Sequence, residues 1–137
     1  MNRETIYSNL FALVSAAPGL VTTSRNLKHW NDVGPSEMPA LFQAQGAQVA
    51  MPVTGHPTRW ELNATLWVYV STIGADPGPV LNPILDAIAN ALDRTAVTAQ
   101  TLGGLAHYAR IEGSVETSEG TLGDVEVVRI PVKILVH

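Results

Sequence analysis

The stretch WELNATLWVYVS, residues 60–71, alternates hydrophobic and polar side chains and predicts a β-strand. Successive side chains of a strand point to opposite faces of its sheet, so every second residue shares a face. One face is hydrophobic throughout: Trp60, Leu62, Ala64, Leu66, Val68 and Val70. The other face begins polar and turns aromatic at Trp67 and Tyr69. Because a solvated face seldom carries two such aromatic residues, we expect another element or another subunit to cover that end.

Two segments that flank this strand have the 3.6-residue periodicity of amphipathic helices. The first helix is predicted over residues 4–16, with Asn2 as its N-cap and with Pro18 and Gly19 ending it. The second helix is predicted over residues 79–93, where proline is tolerated in the first turn because no intrahelical N–H is needed there. The apolar side of this second helix is therefore expected to lie on the sheet.

Four further strands are predicted around these elements, over residues 20–27, 40–45, 106–116 and 124–136. Pro131 in the last of them cannot donate to a strand ladder, which predicts an edge strand or a bulge. Residues 46–59 contain two prolines and two glycines and are predicted to form a projecting flap. The order of elements predicts an α+β fold in a single domain over residues 1–137. We expect a mainly antiparallel β-sheet of about four to five strands with two α-helices packed on one face.

The composition limits the functions that this chain can perform. A length of 137 residues suits one domain with its own core, and the absence of cysteine excludes disulfides, thiolate nucleophiles and cysteine zinc sites. A formal net charge of −4, with scattered basic residues, disfavours binding to nucleic acid or to an anionic membrane. The apolar run near the N-terminus is too short and too interrupted for a membrane span, so we expect a soluble, intracellular protein.

No motif in the sequence anchors a catalytic reaction. Gly103 and Gly104 precede a predicted strand rather than a helix and lack the other residues of a phosphate-binding loop, so they predict a turn. The four histidines have no metal-binding helical spacing, and no serine lies in a GxSxG motif. The late acidic residues are typical of a solvated hairpin tip: Glu112, Glu116, Glu119, Asp124 and Glu126. We therefore expect no enzyme activity, no cofactor and no metal. A small-molecule site in the cleft between the second helix and the sheet is the alternative from a different class.

Large apolar residues in predicted loops are the signal of association in this sequence. They are Trp30, Met38, Met51 and Val53. A monomer gains little from such side chains in its loops, which favours contact with a partner. The alternative is that these side chains fold back and anchor their loops on the core of the chain itself.

Several segments follow the N-terminal helix in a recognisable order. They are PALFQ at residues 39–43, RWELNATLWVYV at 59–70, LNPILDAIANAL at 81–92, TLGGLAHYARIEGSV at 101–115 and IPVKILV at 130–136. Taken together they resemble the small tail terminator, or tail completion, proteins of long-tailed bacteriophages. The resemblance spans residues 39–136, and its motifs are structural, with no catalytic signature.

This resemblance implies a structural role in the virion, at the head–tail junction, after a stage in the host cytoplasm. Proteins of this kind form a homohexameric ring that caps the tail tube, ends its polymerisation and offers a docking surface to the head, with no enzymatic activity. The implied partners are further copies of this chain, the major tail tube protein and a head completion or neck protein. DNA would pass through the ring without specific binding. A head–tail adaptor or another connector of the neck is the alternative within the same class.

The resemblance also directs attention to particular side chains. The candidates for contact with other subunits, the tail or the neck are Trp30, Met38, Met51, Val53, Arg59, Trp67 and Tyr69. The acidic hairpin residues Glu116, Glu119 and Asp124 are candidates for the lining of the channel. There they would repel phosphate weakly, over a Debye length of about 8 Å at physiological salt.

Overall fold

The computed structural model describes residues 1–93 and 99–137, and at residues 119–122 it describes the backbone alone. That part of the chain has two α-helices and six β-strands in the order α1 (Arg3–Ser15), β1 (Thr22–Ser24), β2 (Ala40–Met51), β3 (Arg59–Ser71), α2 (Gly78–Ala91), β4 (Tyr108–Ile111), β5 (Glu116–Leu122) and β6 (Val125–Val136). Both predicted helices are confirmed to within two residues. Within the described residues, neither helix is long and apolar enough to span a membrane.

The six strands form one mixed sheet in the order β1-β2-β3-β6-β4, and β5 pairs with β6 next to β4. Every pairing is antiparallel except that of β1 with β2, which is parallel. The predicted α+β class is confirmed, and the sheet has one strand more than the upper end of the prediction. The extra strand arises because residues 106–116, predicted as one strand, contain only β4 and the first residue of β5.

Pro131 explains why the outer strand is divided. The prediction of an edge strand or a bulge at this proline is wrong, because β6 is a central strand whose register with β3 runs without interruption. The Pro131 carbonyl accepts a hydrogen bond of 3.2 Å from the Glu112 N–H. Since the N–H and C=O of a strand residue point to the same side, the missing N–H faces the gap between β4 and β5. Gly113 lies in that gap, where a Cβ atom would be 3.2 Å from Pro131 Cγ.

One face of the sheet, here called the helix face, packs against both helices. Tyr7 and Leu10 of α1 and Ile84 of α2 are buried in the same core. The sheet contributes alternate residues of its two central strands to this core: Leu62, Ala64, Leu66, Val68 and Val70 from β3, and Val128, Ile130, Val132, Ile134 and Val136 from β6. The Asn2 side chain caps α1 by accepting a hydrogen bond of 3.1 Å from the Thr5 N–H, as predicted.

The aromatic end of the opposite face is covered by residues 25–39, here called the covering segment. A second hydrophobic cluster forms between this segment and the sheet: Val33, Met38, Ala40, Phe42, Tyr69 and Val127, with Trp30, Trp67 and Val125 partly buried around it. The Tyr69 hydroxyl donates a hydrogen bond of 2.6 Å to the Lys28 carbonyl. The prediction that this end of the strand is covered is confirmed, and the cover is a segment of the same chain.

The flap predicted over residues 46–59 is smaller than expected. The prediction is wrong for the first half of this range, because β2 continues to Met51 and pairs with the first residues of β3. The register shifts between Gln45 and Gln48, where Gly46 approaches β3 so closely that a Cβ atom would be 3.3 Å from Asn63. A β-bulge at a glycine keeps the two strands paired past this point. Only residues 52–58 leave the sheet as a loop.

Candidate assembly surface

The sheet face opposite the helices is covered by the covering segment at one end only. The remainder, here called the open face, has no described helix or loop packed on it. It consists of Ala44, Val49, Glu61, Asn63, Thr65, Tyr108, Arg110, Arg129, Lys133 and Leu135, all half-buried or exposed. These side chains lie on the strands and not on a loop, so the backbone holds their positions fixed relative to one another.

The cations of the open face have carboxylate partners within the chain. The ion pairs are Lys133 Nζ to Glu61 Oε1 at 3.3 Å, Arg110 Nε to Glu112 Oε2 at 3.2 Å and Arg129 Nη1 to Glu116 Oε2 at 3.8 Å. Pairs with this degree of exposure add little to stability. These pairs matter more for binding of another molecule to this face. A partner that covers it would not have to bury unpaired charges.

Two arginines also lie over aromatic rings. The Arg110 guanidinium is 4.0 Å from the centroid of the Tyr108 ring, and that of Arg129 is 6.0 Å from the centroid of the Trp67 ring. A guanidinium placed over a ring gains a cation–π attraction. Trp67 therefore joins the cluster under the covering segment to the open face.

Three candidate residues lie in or directly beside the loop at residues 52–58, at the far end of the open face. Val53 is 48% exposed, Arg59 is exposed and Met51 is half-buried. A cavity of about 340 Å³ lies at this end and is lined by Val53, His56, Pro57, Arg59 and His137. The residues that line it are exposed, so it is a surface hollow and not an enclosed pocket.

Four of the predicted contact residues belong to the cluster under the covering segment: Trp30, Met38, Trp67 and Tyr69. Met38 is 7% exposed and Tyr69 is 2% exposed, while Trp30 is partly buried against the same cluster. Trp30 and Met38 therefore fold back as anchors of their own loop, which is the alternative that the sequence left open. The sequence made these side chains candidates for contact with a partner, whereas the contact that the structure shows for them is with the chain's own sheet.

The acidic residues are dispersed rather than gathered at one tip. Glu116 and Asp124 are exposed at opposite ends of the β5–β6 hairpin, and the side chain of Glu119 lies outside the described residues. Glu112 is paired with Arg110. Glu126 is only 3% exposed, on the helix face of β6, so its assignment to a solvated tip is wrong. Glu126 lies two and four residues before Val128 and Ile130 in the same strand, so its side chain points to the same face as theirs.

Several ionisable side chains among the described residues have shifted pKa values. The hydrogen bond from Arg25 lowers the pKa of the Glu4 carboxyl. Burial raises the pKa of the Tyr7 and Tyr69 hydroxyls. Desolvation, followed by the nearby charges of His107 and Arg59, lowers the pKa of His137. The shifted groups at Tyr7 and Tyr69 are core residues, so these shifts report burial and not a shared reaction centre.

The described residues contain no group of three or more histidine, cysteine, aspartate or glutamate side chains placed to bind one metal ion. They do bring His107 and His137 into contact. This pair is not evident from the sequence, because the two residues are 30 positions apart and meet only through the register of β4 with β6.

The Gly103–Gly104 pair forms a turn, as predicted. Both residues have positive φ angles, 74° and 88°, and they lie after α2 and before β4. Their backbone N–H groups do not lead into a helix, which a phosphate-binding loop requires. Glycine is favoured at both positions of this turn, because residues with a side chain seldom adopt positive φ angles.

Comparison with known proteins finds similar folds among solved structures. A solved protein whose description states no function aligns over 100% of this chain and 96% of its own length, with 17% sequence identity and a TM-score of 0.54. A chain from the virion of a native gene transfer agent particle aligns over 96% of this chain and 90% of its own length, with 13% identity and a TM-score of 0.47. No protein-family model and no curated protein matches the sequence. At 17% identity the first likeness indicates a shared fold and nothing about activity. The second likeness has the lower TM-score and supports no conclusion about this chain.

Proposed function

We propose that this chain is a structural subunit of a phage virion, and specifically a tail terminator. It assembles into a ring, expected to be a hexamer, that caps the tail tube, stops its polymerisation and receives the head or neck. The observation that carries the proposal is the open face, a rigid half of a sheet that no described element covers and whose charges are already paired. The order of segments that resembles tail terminators supplies the particular assembly.

A sheet face of this kind suits a subunit of a closed ring. In a cyclic ring each subunit offers one surface to its neighbour on one side and a different surface to its neighbour on the other. Two half-buried residues of the open face are Thr65 on β3 and Leu135 on β6. Lys133, which is paired with Glu61, lies between them on β6. The loop at residues 52–58 projects from the end of that face and can reach an adjacent subunit or the tail tube. No enzymatic activity is proposed.

The acidic residues of the β5–β6 hairpin are proposed to face the DNA channel. Glu116 and Asp124 are exposed, and their negative charge would keep passing phosphates from binding. The Arg129 guanidinium, 3.8 Å from Glu116, reduces the net charge at one end of this hairpin. Asp124 and Glu119 are the other acidic residues that we propose to face the channel.

The first test is the length of tails made without this chain. An early stop codon in its gene is expected to give overlong, headless tails in electron micrographs, because nothing ends tube growth. Tails of normal length would contradict the terminator proposal and would favour another neck component, such as a head–tail adaptor. They would also reopen the search for a ligand.

A surface variant tests whether the open face performs this role. Thr65→Arg introduces a bulky unpaired cation at the centre of the open face, and we expect overlong tails from it as from the stop codon. Asn90→Arg is the matched control, since Asn90 is exposed on α2 on the other side of the molecule. If both variants complete tails of normal length, the open face is not the assembly surface.

A small-ligand site between α2 and the sheet, the alternative from a different class, has no support in the packing. Leu81, Ile84 and Ile88 of α2 are each no more than 2% exposed and fill that space against the sheet. A ligand there would have to displace core side chains.

A further inference from the structure

His107 and His137 are held together by the backbone at the end of the sheet. The His107 N–H donates a hydrogen bond of 2.8 Å to the Leu135 carbonyl, which fixes the residue before β4 against the last residues of β6. Tyr108 and Leu135 are cross-strand partners next to it. The two imidazole side chains are exposed beside each other, with ring centroids 4.0 Å apart.

The ring nitrogens of this pair have the separation of two ligands on one metal ion. The Nε2 atoms are 3.2 Å apart, and His107 Nε2 also contacts His137 Nδ1. Two nitrogens that each bind Zn²⁺ at about 2.0–2.1 Å in a tetrahedral arrangement are roughly 3.3 Å apart. We propose that His107 and His137 form a two-imidazole binding site for a divalent transition metal ion of the zinc class, with water in the remaining positions.

The surroundings set the strength of this site. His56 and Arg59 face the same hollow as His137, and no carboxylate is among the residues that line it. The positive charge of Arg59 repels a metal cation, and no carboxylate offsets it. The ion would therefore be held by two neutral imidazoles alone. The order of affinities for such ligands places Cu²⁺ above Zn²⁺ and Ni²⁺. The site is therefore weak compared with a structural zinc site, which has four protein ligands and stabilises the fold itself.

Metal binding at this pair is expected to depend on pH. A metal ion binds only a deprotonated imidazole nitrogen, so protons compete with it at each ring. The affinity for metal is therefore expected to fall as the pH is lowered.

The test is titration of the whole chain with ZnCl₂ by isothermal calorimetry at about pH 7.5, where unperturbed imidazoles are mostly neutral. We expect one bound ion per chain. His107→Ala and His137→Ala are each expected to lower the affinity at least about tenfold, because even the loss of a residue that only hydrogen-bonds to a metal ligand has an effect of about this size. Both residues are exposed, so these variants keep the fold, which circular dichroism verifies. His56→Ala is the matched control, because it removes a histidine from the same hollow and is expected to leave the affinity unchanged.

Two results would overturn the assignment. The first is binding of Zn²⁺ to the double variant His107→Ala/His137→Ala that is as tight as binding to the unaltered chain. The second is an equal loss in His56→Ala, which would place the ion in the loop at residues 52–58. A second readout separates direct ligands from neighbours: in NMR spectra, Zn²⁺ is expected to shift the ring resonances of His107 and His137 and to leave those of His29 in place.

Discussion

The two faces of the sheet differ in what covers them. The helix face is continuous, and its central residues in β3 and β6 are no more than 3% exposed beneath α1 and α2. The opposite face is buried only where the covering segment lies on it, and its remainder combines half-buried aliphatic side chains with ion pairs. The same two strands thus contribute one face to the core of the chain, and the other is the face that we propose to contact a neighbour. Substitutions placed on each face test that division.

The largest effect is expected from adjacent residues of β6 that point to opposite faces. Ile134 is fully buried on the helix face, so Ile134→Ala is expected to lower the free energy of unfolding by about 2–5 kcal/mol. Leu135 is half-buried on the open face, and Leu135→Ala is expected to lower it by about 1 kcal/mol, the usual value for a point substitution. Urea denaturation of monomeric samples measures both. Equal losses would show that the open face is covered within the subunit.

A smaller effect is expected from the two buried tyrosine hydroxyls, one on each face. Tyr69 donates to the Lys28 carbonyl at 2.6 Å, whereas Tyr7 donates to the Asn63 carbonyl at 3.3 Å. A hydrogen bond contributes about 0.5–1.5 kcal/mol net, and the shorter one is expected to contribute more. Tyr69→Phe should therefore lower the thermal midpoint further than Tyr7→Phe. The reverse order would mean that the covering segment adds little to stability.

The Lys133–Glu61 pair of the open face is expected to contribute less again. A double-mutant cycle with Lys133→Gln and Glu61→Gln should give a coupling energy of about 0.2–1 kcal/mol, as for other exposed pairs. The coupling should fall as salt is added, because both side chains contact solvent. A coupling that stays constant up to high salt would indicate that this pair is shielded from water in the subunit.

Ionisation of the two tyrosines is expected to have no effect at neutral pH. Burial raises the pKa of Tyr7 and Tyr69 above the unfolded value of about 10, so the folded state holds its hydroxyl protons more tightly than the unfolded state. The stability from these groups is fully present below about pH 10 and is lost as the pH rises through the folded pKa values. Unfolding measured between about pH 9 and 11.5 should therefore show a decline that is shallower in Tyr69→Phe. An unchanged decline would assign it to other groups.

The sequence predicted those parts of the fold that depend on local periodicity. The alternation at residues 60–71 and 124–136 predicts β3 and β6, because each strand has one face in the core. The helices were predicted for the same reason. Alternation does not reveal which strands become neighbours, so the central place of β6 and the division at Pro131 were missed. The second half of β2 was also missed, because the prolines and glycines of residues 46–59 predicted a flap, whereas Gly46 forms a bulge past which the strands stay paired.

The candidate surface was predictable only in part. Loop position alone cannot decide whether Trp30 and Met38 face a partner or the chain's own sheet, since this depends on which segment folds over the aromatic end of β3. The open face is what that segment leaves uncovered, and its extent depends on tertiary packing. His107 and His137 lie 30 residues apart, and their contact likewise depends on strand register. The predicted ring, its partners and the channel residues stay predictions.

The proline at the middle of β6 has a consequence for how the sheet comes apart. On its outer side β6 carries two separate ladders, to β4 beyond Pro131 and to β5 before it. Because Pro131 has no N–H to offer between them, the opening of one ladder does not propagate along β6 into the other. Hydrogen exchange in β5 is therefore expected to proceed independently of β4, whose Ala109 is anchored in the core. Strand β5 can therefore separate from β6 while β4 and the core of the chain stay folded.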